Sequence, residues 1–175
     1  MIKNFDLSPN FSFHEATRTD RRGFLTMNRE LGQRRLARVA MLAQTILQPI
    51  RDHLKLPMKT SSWYRCPDLN KAVGGVKWSD HLSGGAWDGW VKGLHRNRKE
   101  MREVFDSIRG FVKAKGIMFG QIILEEKNSW KGPGIWLHIS QGAPLRDLKK
   151  CGEVWTYLDG KYTFVEYVRF PRWRS

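Results

Sequence analysis

Acidic side chains are scarce in this chain. Asp and Glu number 17 against 31 Lys and Arg, which leaves a formal net charge of +14 over 175 residues. Such an imbalance draws a protein toward polyanions, most strongly at low salt. Nucleic acid, teichoic acids and anionic peptidoglycan all qualify. Cysteine is rarer still: Cys66 and Cys151 lie far apart, without the spacing of a metal clip, and read as reduced or incidental thiols. No apolar run approaches the roughly 18 residues of a membrane span, so stable membrane insertion is not expected. The opening Met1–Asp6 lacks the apolar core of a signal peptide, which predicts synthesis and folding in a cytoplasm. Internal repeats and low-complexity linkers are missing as well. What is present argues for a folded body: 41% hydrophobic residues, with eight Trp, nine Phe and four Tyr, exclude a disordered basic tail. The length fits one domain over residues 1–175 better than two.

The cations cluster at Arg18, Arg21 and Arg22, at Arg34, Arg35 and Arg38, from Lys92 to Arg102, and at Arg169, Arg172 and Arg174. None of these clusters matches a compact nucleic-acid motif, so no specific nucleic-acid partner is expected. Phe5, Phe11, Phe13 and Phe24 are predicted to anchor a polar, turn-rich N-terminal segment. Apolar residues at helical spacing from Glu30 to Leu54 predict a long amphipathic helix, kinked or broken near Gln48 by Pro49. A short strand is expected over residues 57–65, a helical turn opening at Pro67, and a second helix from Arg98 to Lys113. Strands are expected at Phe119–Leu124 and Ile135–Ser140, joined by a charged loop. Asp159-Gly160 between two β-rich runs is a two-residue hairpin signal. The order predicts an α+β domain.

The chemistry concentrates in Ser79-Asp80-His81-Leu82-Ser83-Gly84-Gly85-Ala86-Trp87-Asp88 and, fifty residues on, His138 in an apolar strand. Two imidazoles and a carboxylate suit a catalytic zinc that keeps a fourth position open. On residue types alone a second reading stands beside it, a loop hydrogen bond between His81 and Asp88 with a satisfied strand histidine at 138.

The motifs resemble the zinc D-alanyl-D-alanine carboxypeptidase and peptidoglycan endopeptidase family, which includes phage endolysins and shares the Hedgehog/DD-peptidase fold. The likeness runs over about residues 10–140. It passes through Asn10–Glu15, Ile46–Leu54, Ser61–Arg65 and Leu69–Gly75. It includes S-x-H-x-x-G-x-A-x-D at Ser79, His81, Gly84, Ala86 and Asp88, and W-x-H-x-S at Trp136, His138 and Ser140. The resemblance implies a single α+β domain with a small antiparallel sheet and flanking helices, completed by a C-terminal hairpin at about residues 155–165. It implies zinc held by His81, Asp88 and His138. It implies Arg65 as a catalytic and substrate-binding guanidinium that clamps a carboxylate or stabilises a developing oxyanion.

Departures from the pattern are informative. Ile135 stands where some branches carry an acidic residue, and Gln121-Ile122-Ile123-Leu124-Glu125 resembles the strand on which others carry it. Glu125 is therefore the expected general base; Glu126 should face the opposite side of the strand. Ser79 is a candidate for a substrate hydrogen bond or for a turn-forming role, and Trp87 for an aromatic wall against substrate or for core packing. A loop carrying Asn128, Ser129, Trp130 and Lys131 is expected to shape the groove or simply to connect strands. His14, His53 and His95 have no matching role, and Cys66 is a poor ligand candidate. The implied activity is hydrolysis of an amide bond in the peptidoglycan stem peptide, with anionic wall polymers as further partners. The implied setting is a phage or prophage lysin that reaches the wall after release, or a virion component. A non-catalytic peptidase-fold protein of a phage particle and a basic nucleic-acid-binding domain are the alternatives. The sequence leaves the scissile bond and the oligomeric state open.

Overall fold

A computed structural model describes residues 2–128, 134–142 and 152–168. Ser129, Trp130, Lys131, Cys151 and the terminal cluster Arg169, Arg172 and Arg174 lie outside the described residues. The N-terminal segment forms a small hairpin, β1 (Asp6–Ser8) and β2 (Phe11–Ser12), running into the single turn α1 (Phe13–Ala16). Phe11 and Phe13 are buried in the core, Phe24 is partly buried against it, and Phe5 stacks on Phe13 from outside.

The helical periodicity expected from Glu30 to Leu54 is distributed over α2 (Leu25–Gln33), α3 (Leu36–Leu42) and α4 (Gln48–Leu54). The break near Gln48 takes the form of a π-helical turn over Ala43–Leu47. Pro49 explains it: proline has no N–H to donate and its ring crowds the carbonyl four residues back, and a wider turn relieves both. The periodicity gives no sign of the earlier break, where the Arg34 amide turns back onto Leu31 and Gly32. After β3 (Met58–Ser62), Pro67 opens α5 (Pro67–Ala72), as its fixed φ and missing donor favour.

Six strands form the main sheet in the order β3, β4 (Ala86–Val91), β6 (Gly134–Ser140), β5 (Gln121–Lys127), β7 (Glu153–Leu158), β8 (Lys161–Tyr167). All neighbours are antiparallel except β5 and β7, which run parallel. The β7–β8 turn has Asp159 at φ 43° and Gly160 at φ 98°, the pair of left-handed residues that a type I′ turn requires. The hairpin forms the sheet edge beyond β5. Helix α6 (Arg98–Lys115) buries Met101, Val104, Phe105, Ile108 and Val112. Its Arg98 and Arg102 pair with Glu126, and its Arg109 pairs with Glu166 on β8. Strand alternation then sends Glu125 and its face-mates to the opposite side of the sheet. That other face carries the candidate site.

Candidate metal centre

Asp88 sits in the middle of β4, directly opposite His138 on β6 and Ser62 on β3. Opposite residues in a ladder share a face, so pairing alone closes the fifty-residue gap between the carboxylate and His138. His138 Nδ1 lies 2.7 Å from Asp88 Oδ1. His81 comes from a 3-10 turn (Asp80–Ser83) just before β4, and its Nε2 is 3.1 Å from Asp88 Oδ2. The turn must end sharply to feed the strand. Gly84 does this at φ +77°, where an added Cβ would also lie 2.5 Å from Val39 Cγ2.

The backbone before α5 fixes the His81 ring. Its Nδ1 is 2.6 Å from the Trp63 carbonyl, while the Arg65 amide donates back to the His81 carbonyl at 3.1 Å. A carbonyl only accepts, so Nδ1 carries the proton and Nε2 presents its lone pair to Asp88. Two acceptors at 3.1 Å call for a cation between them. Burial pushes the His81 pKa down, against the pull of Asp88, and so disfavours a proton there. The potential donor atoms of His81, Asp88 and His138 all lie within 4.8 Å of one another. Two imidazoles, a carboxylate and a carbonyl that orients one ring fit a divalent metal ion.

Charge around the cluster is strongly coupled. Burial alone would raise Asp88, but His81 and His138 outweigh it and hold the carboxyl well below its usual range. His138 is likewise opposed by burial, yet Asp88 and Glu125 raise it above its ordinary value. Arg65 donates from Nη2 to Asp88 Oδ2 at 2.7 Å and from Nε to Ser62 Oγ at 2.7 Å.

Glu125 lies opposite Trp136, two positions along from the Ile123–His138 pair, and so on the metal-site face. Its pKa is pushed up to about 7, first by burial and then by the negative charge of Asp88. Glu126 faces α6. Ile135 is buried opposite Glu126 on that same far side, so an acid at position 135 would not share the face of His138. Two expectations need correction. Trp87 is no substrate wall: it is fully buried on the far face, with its Nε1 donating to Thr60 Oγ1. Ser79 caps the 3-10 turn, its hydroxyl accepting from the His81 amide. His14 bonds the Ile2 carbonyl, His53 meets Ser107 and stacks on Phe111, and buried Cys66 is the N-cap residue of α5. None of the three joins the site.

Sequence reasoning missed Asn28. Buried on α2, it donates from Nδ2 to the carbonyls of Thr17 and Tyr64 and accepts from the Cys66 amide. It thereby pins the segment whose Trp63 carbonyl orients His81 and whose Arg65 grips Asp88. It precedes the helical pattern expected from Glu30, so nothing in the sequence marked it.

A family model described as Peptidase M15 matches residues 10–118, more than half of the chain. A comparison with curated proteins finds no match. The matched span holds Arg65, His81 and Asp88; beyond it, β6 brings His138 onto β4, and β5 brings Glu125 onto β6. A match of this extent, with its last matched strand holding a carboxylate between two imidazoles, establishes that the chain belongs to the peptidase M15 family.

Proposed function

We propose that this protein is a zinc-dependent peptidase that hydrolyses an amide bond of the peptidoglycan stem peptide. The observation that carries the reading is Asp88 bracketed by His81 Nε2 and His138 Nδ1, with Glu125 on the same sheet face. His81, Asp88 and His138 would hold the ion. When bound, zinc supplies Lewis-acid polarisation of a carbonyl and makes water more acidic. The Trp63 carbonyl keeps the His81 tautomer fixed, and Arg65 and Ser62 keep the Asp88 carboxylate from turning. Glu125 takes a proton from the attacking water on a carboxylate oxygen and delivers it to the leaving amine. The acyl carbon gains the water oxygen as its bond to nitrogen breaks. A carboxyl titrating near neutrality is suited to both halves of that transfer.

The stem peptide is supported by the family and by the charge of +14, which favours an anionic polymer as the surface on which the enzyme works. The same two features support a lysin role, acting on the wall after release or from a virion. The test is metal analysis of the purified chain followed by digestion of isolated peptidoglycan, with products located by mass spectrometry. The expected result is one zinc per chain and one class of new amine terminus within the stem peptide. A chain without stoichiometric zinc at neutral pH, or with zinc but no cut, overturns the reading in favour of a non-catalytic binding protein. Cleavage undiminished in His81→Ala overturns the ligand assignment.

A further inference from the structure

The half of the sheet beyond β5 presents an open aromatic face. Trp155 and Tyr157 on β7 pair with Phe164 and Tyr162 on β8, and Tyr167 lies opposite Glu153 at the far end of the same ladder. Simple alternation along β8 would put Tyr167 on the other side from Tyr162 and Phe164. The register prevents this. Val154 pairs with Glu166 and Trp155 with Phe164, so Val165 is the extra residue of a β-bulge and returns Tyr167 to the aromatic side. The rings form one connected set. Trp155 and Phe164 meet edge-on with centroids 5.1 Å apart, Tyr157 and Tyr162 lie at 4.6 Å, and Phe164 and Tyr167 at 4.7 Å. The Trp155 indole is further held by Glu153, whose Oε2 accepts from its Nε1 at 3.3 Å. Tyr162, Phe164 and Tyr167 are nevertheless 54%, 40% and 52% exposed. Rings packed on one another yet left open to solvent mark a contact surface rather than a core.

This is the face that carries the metal centre. Across the sheet His138 stands opposite Ile123, Ile123 opposite Trp155, and Trp155 opposite Phe164. In the adjoining row Glu125 stands opposite Tyr157, and Tyr157 opposite Tyr162. At about 4.8 Å per strand the platform begins about 10 Å from His138 and extends to about 15 Å, the length of three or four residues of extended peptide. Helix α6 lies on the other side, where Arg109 holds Glu166. The platform also lies beyond the span matched by the family model.

Charge narrows the occupant. The five aromatic side chains are neutral, and the charged ladder partners on their face are the acids Glu125 and Glu153. In a chain of net +14, this face is a poor match for a polyanion or an anionic lipid surface. A pyranose ring suits it. The axial C–H bonds of the sugar present an apolar, weakly positive face to the negative face of an aromatic ring, which leaves the equatorial hydroxyls for the tyrosine hydroxyls.

We propose that this platform binds the sugar rings of the glycan strand to which the stem peptide is attached. The identity of the occupant rests on the peptidase reading above. Such a sugar is neutral once its acid is tied up as the amide of the peptide, and the peptide joins it covalently to the bond at the centre. Sugar on β7 and β8 and peptide at the centre are two parts of one substrate on one continuous face, and holding the first raises the effective concentration of the second.

The metal-free full chain is titrated with a neutral N-acetylglucosamine tetramer, followed by calorimetry at about 0.1 M and about 1 M salt. Saturable binding should appear at both, because no ion pair is involved. Phe164→Ala/Tyr167→Ala should weaken it by about tenfold or more, as removal of aromatic anchors does. Phe164→Trp, which keeps a flat ring, should stay within about threefold of the parent. With zinc loaded, the double variant should cleave a sugar-free stem peptide like the parent, and its KM should rise, by about tenfold, only for the same peptide carrying its disaccharide. Tyr167→Ala alone removes a half-exposed ring and tests the platform without the risk of unfolding; it should weaken tetramer binding by about threefold or more. Absence of saturable binding, or a double variant that binds the tetramer like the parent, overturns the platform. A chain that binds phosphatidylglycerol vesicles through these rings and not the tetramer has a membrane contact here, which overturns it equally. If the tetramer binds and no peptide is cut, the catalytic reading fails and the platform stands; if peptides are cut and the tetramer does not bind, the reverse holds.

Discussion

Glu125 is the residue whose chemistry differs most from what its side chain does in water. The folded protein holds its proton up to about pH 7, against 4.5 for an ordinary glutamate. Between those values the native state binds more protons than the unfolded chain, so ionising Glu125 lowers stability as pH rises through the window. Glu125→Gln removes that penalty. In metal-free protein the variant should exceed the parent in stability by about 2 kcal/mol at about pH 8, after allowance for partial solvent screening. The difference should shrink as pH falls toward 4.5 and vanish below it, as followed by chemical denaturation. With zinc loaded, the same variant should retain its metal and lose about a hundredfold or more in kcat. A variant as active as the parent would move the base elsewhere. At this scale the sequence was legible wherever a motif encoded the chemistry: the spacing of His81, Asp88 and His138 reflects one turn and one ladder. Arg65 was found, but its partner was not, because only the β3–β4 pairing brings Asp88 across from Ser62. Trp87 was readable in principle. It neighbours Asp88 in a strand, and alternation puts neighbours on opposite faces.

Elements hold the site through contacts that local patterning does not announce. Helix α2 has no ligand, yet its Asn28 ties together Thr17, Tyr64 and Cys66 and so fixes the strand-to-helix passage containing Trp63 and Arg65. Asn28→Ala strands two buried carbonyls and a buried N–H. The variant should lose about 3 kcal/mol in urea denaturation, since each unpaired buried group costs about 1–3 kcal/mol and partial rearrangement offsets some of it. Gly89 is the corresponding point on β4. A Cβ there would lie 2.2 Å from the Lys59 carbonyl oxygen and 2.3 Å from the Trp87 ring. Neither neighbour has free space to enter: Lys59 offers backbone, and Trp87 is fixed in the core. Gly89→Ala should therefore destabilise by about 2 kcal/mol or more, read from the same denaturation curves. An unchanged midpoint in either variant contradicts this account of how β4 is held. The hairpin at Asp159-Gly160 and the helix start at Pro67 were visible because their signals are local. The parallel pairing of β5 with β7 was not, because register between distant strands leaves no mark on either alone.

At the scale of the molecule, the excess of cations divides into two uses. Arg98 and Arg102 clamp Glu126, and Arg109 bridges Asp106 and Glu166, so part of the basic run on α6 fastens a helix to the sheet. Arg65 is committed to the centre. The acids are few, and of the three buried ones among the described residues Asp88 and Glu126 are already matched by these cations and the two imidazoles, while Glu153 accepts from Gln121 and Trp155. These pairings leave the net charge of +14 unchanged, so a large cationic excess is available to act on an external polyanion. Long-range attraction of this kind is screened as the Debye length falls from about 10 Å at 0.1 M salt to about 3 Å at 1 M. Cosedimentation with isolated cell walls should drop by about tenfold or more across that range. Hydrolysis of a short soluble peptide should fall much less, because the chemical step works at contact distance and needs no long-range tether. Wall binding that ignores salt would show that surface charge is not the tether. A parallel collapse of both signals would instead place the salt sensitivity in the contacts of the catalytic face itself, and the surface charge would then serve as more than a tether.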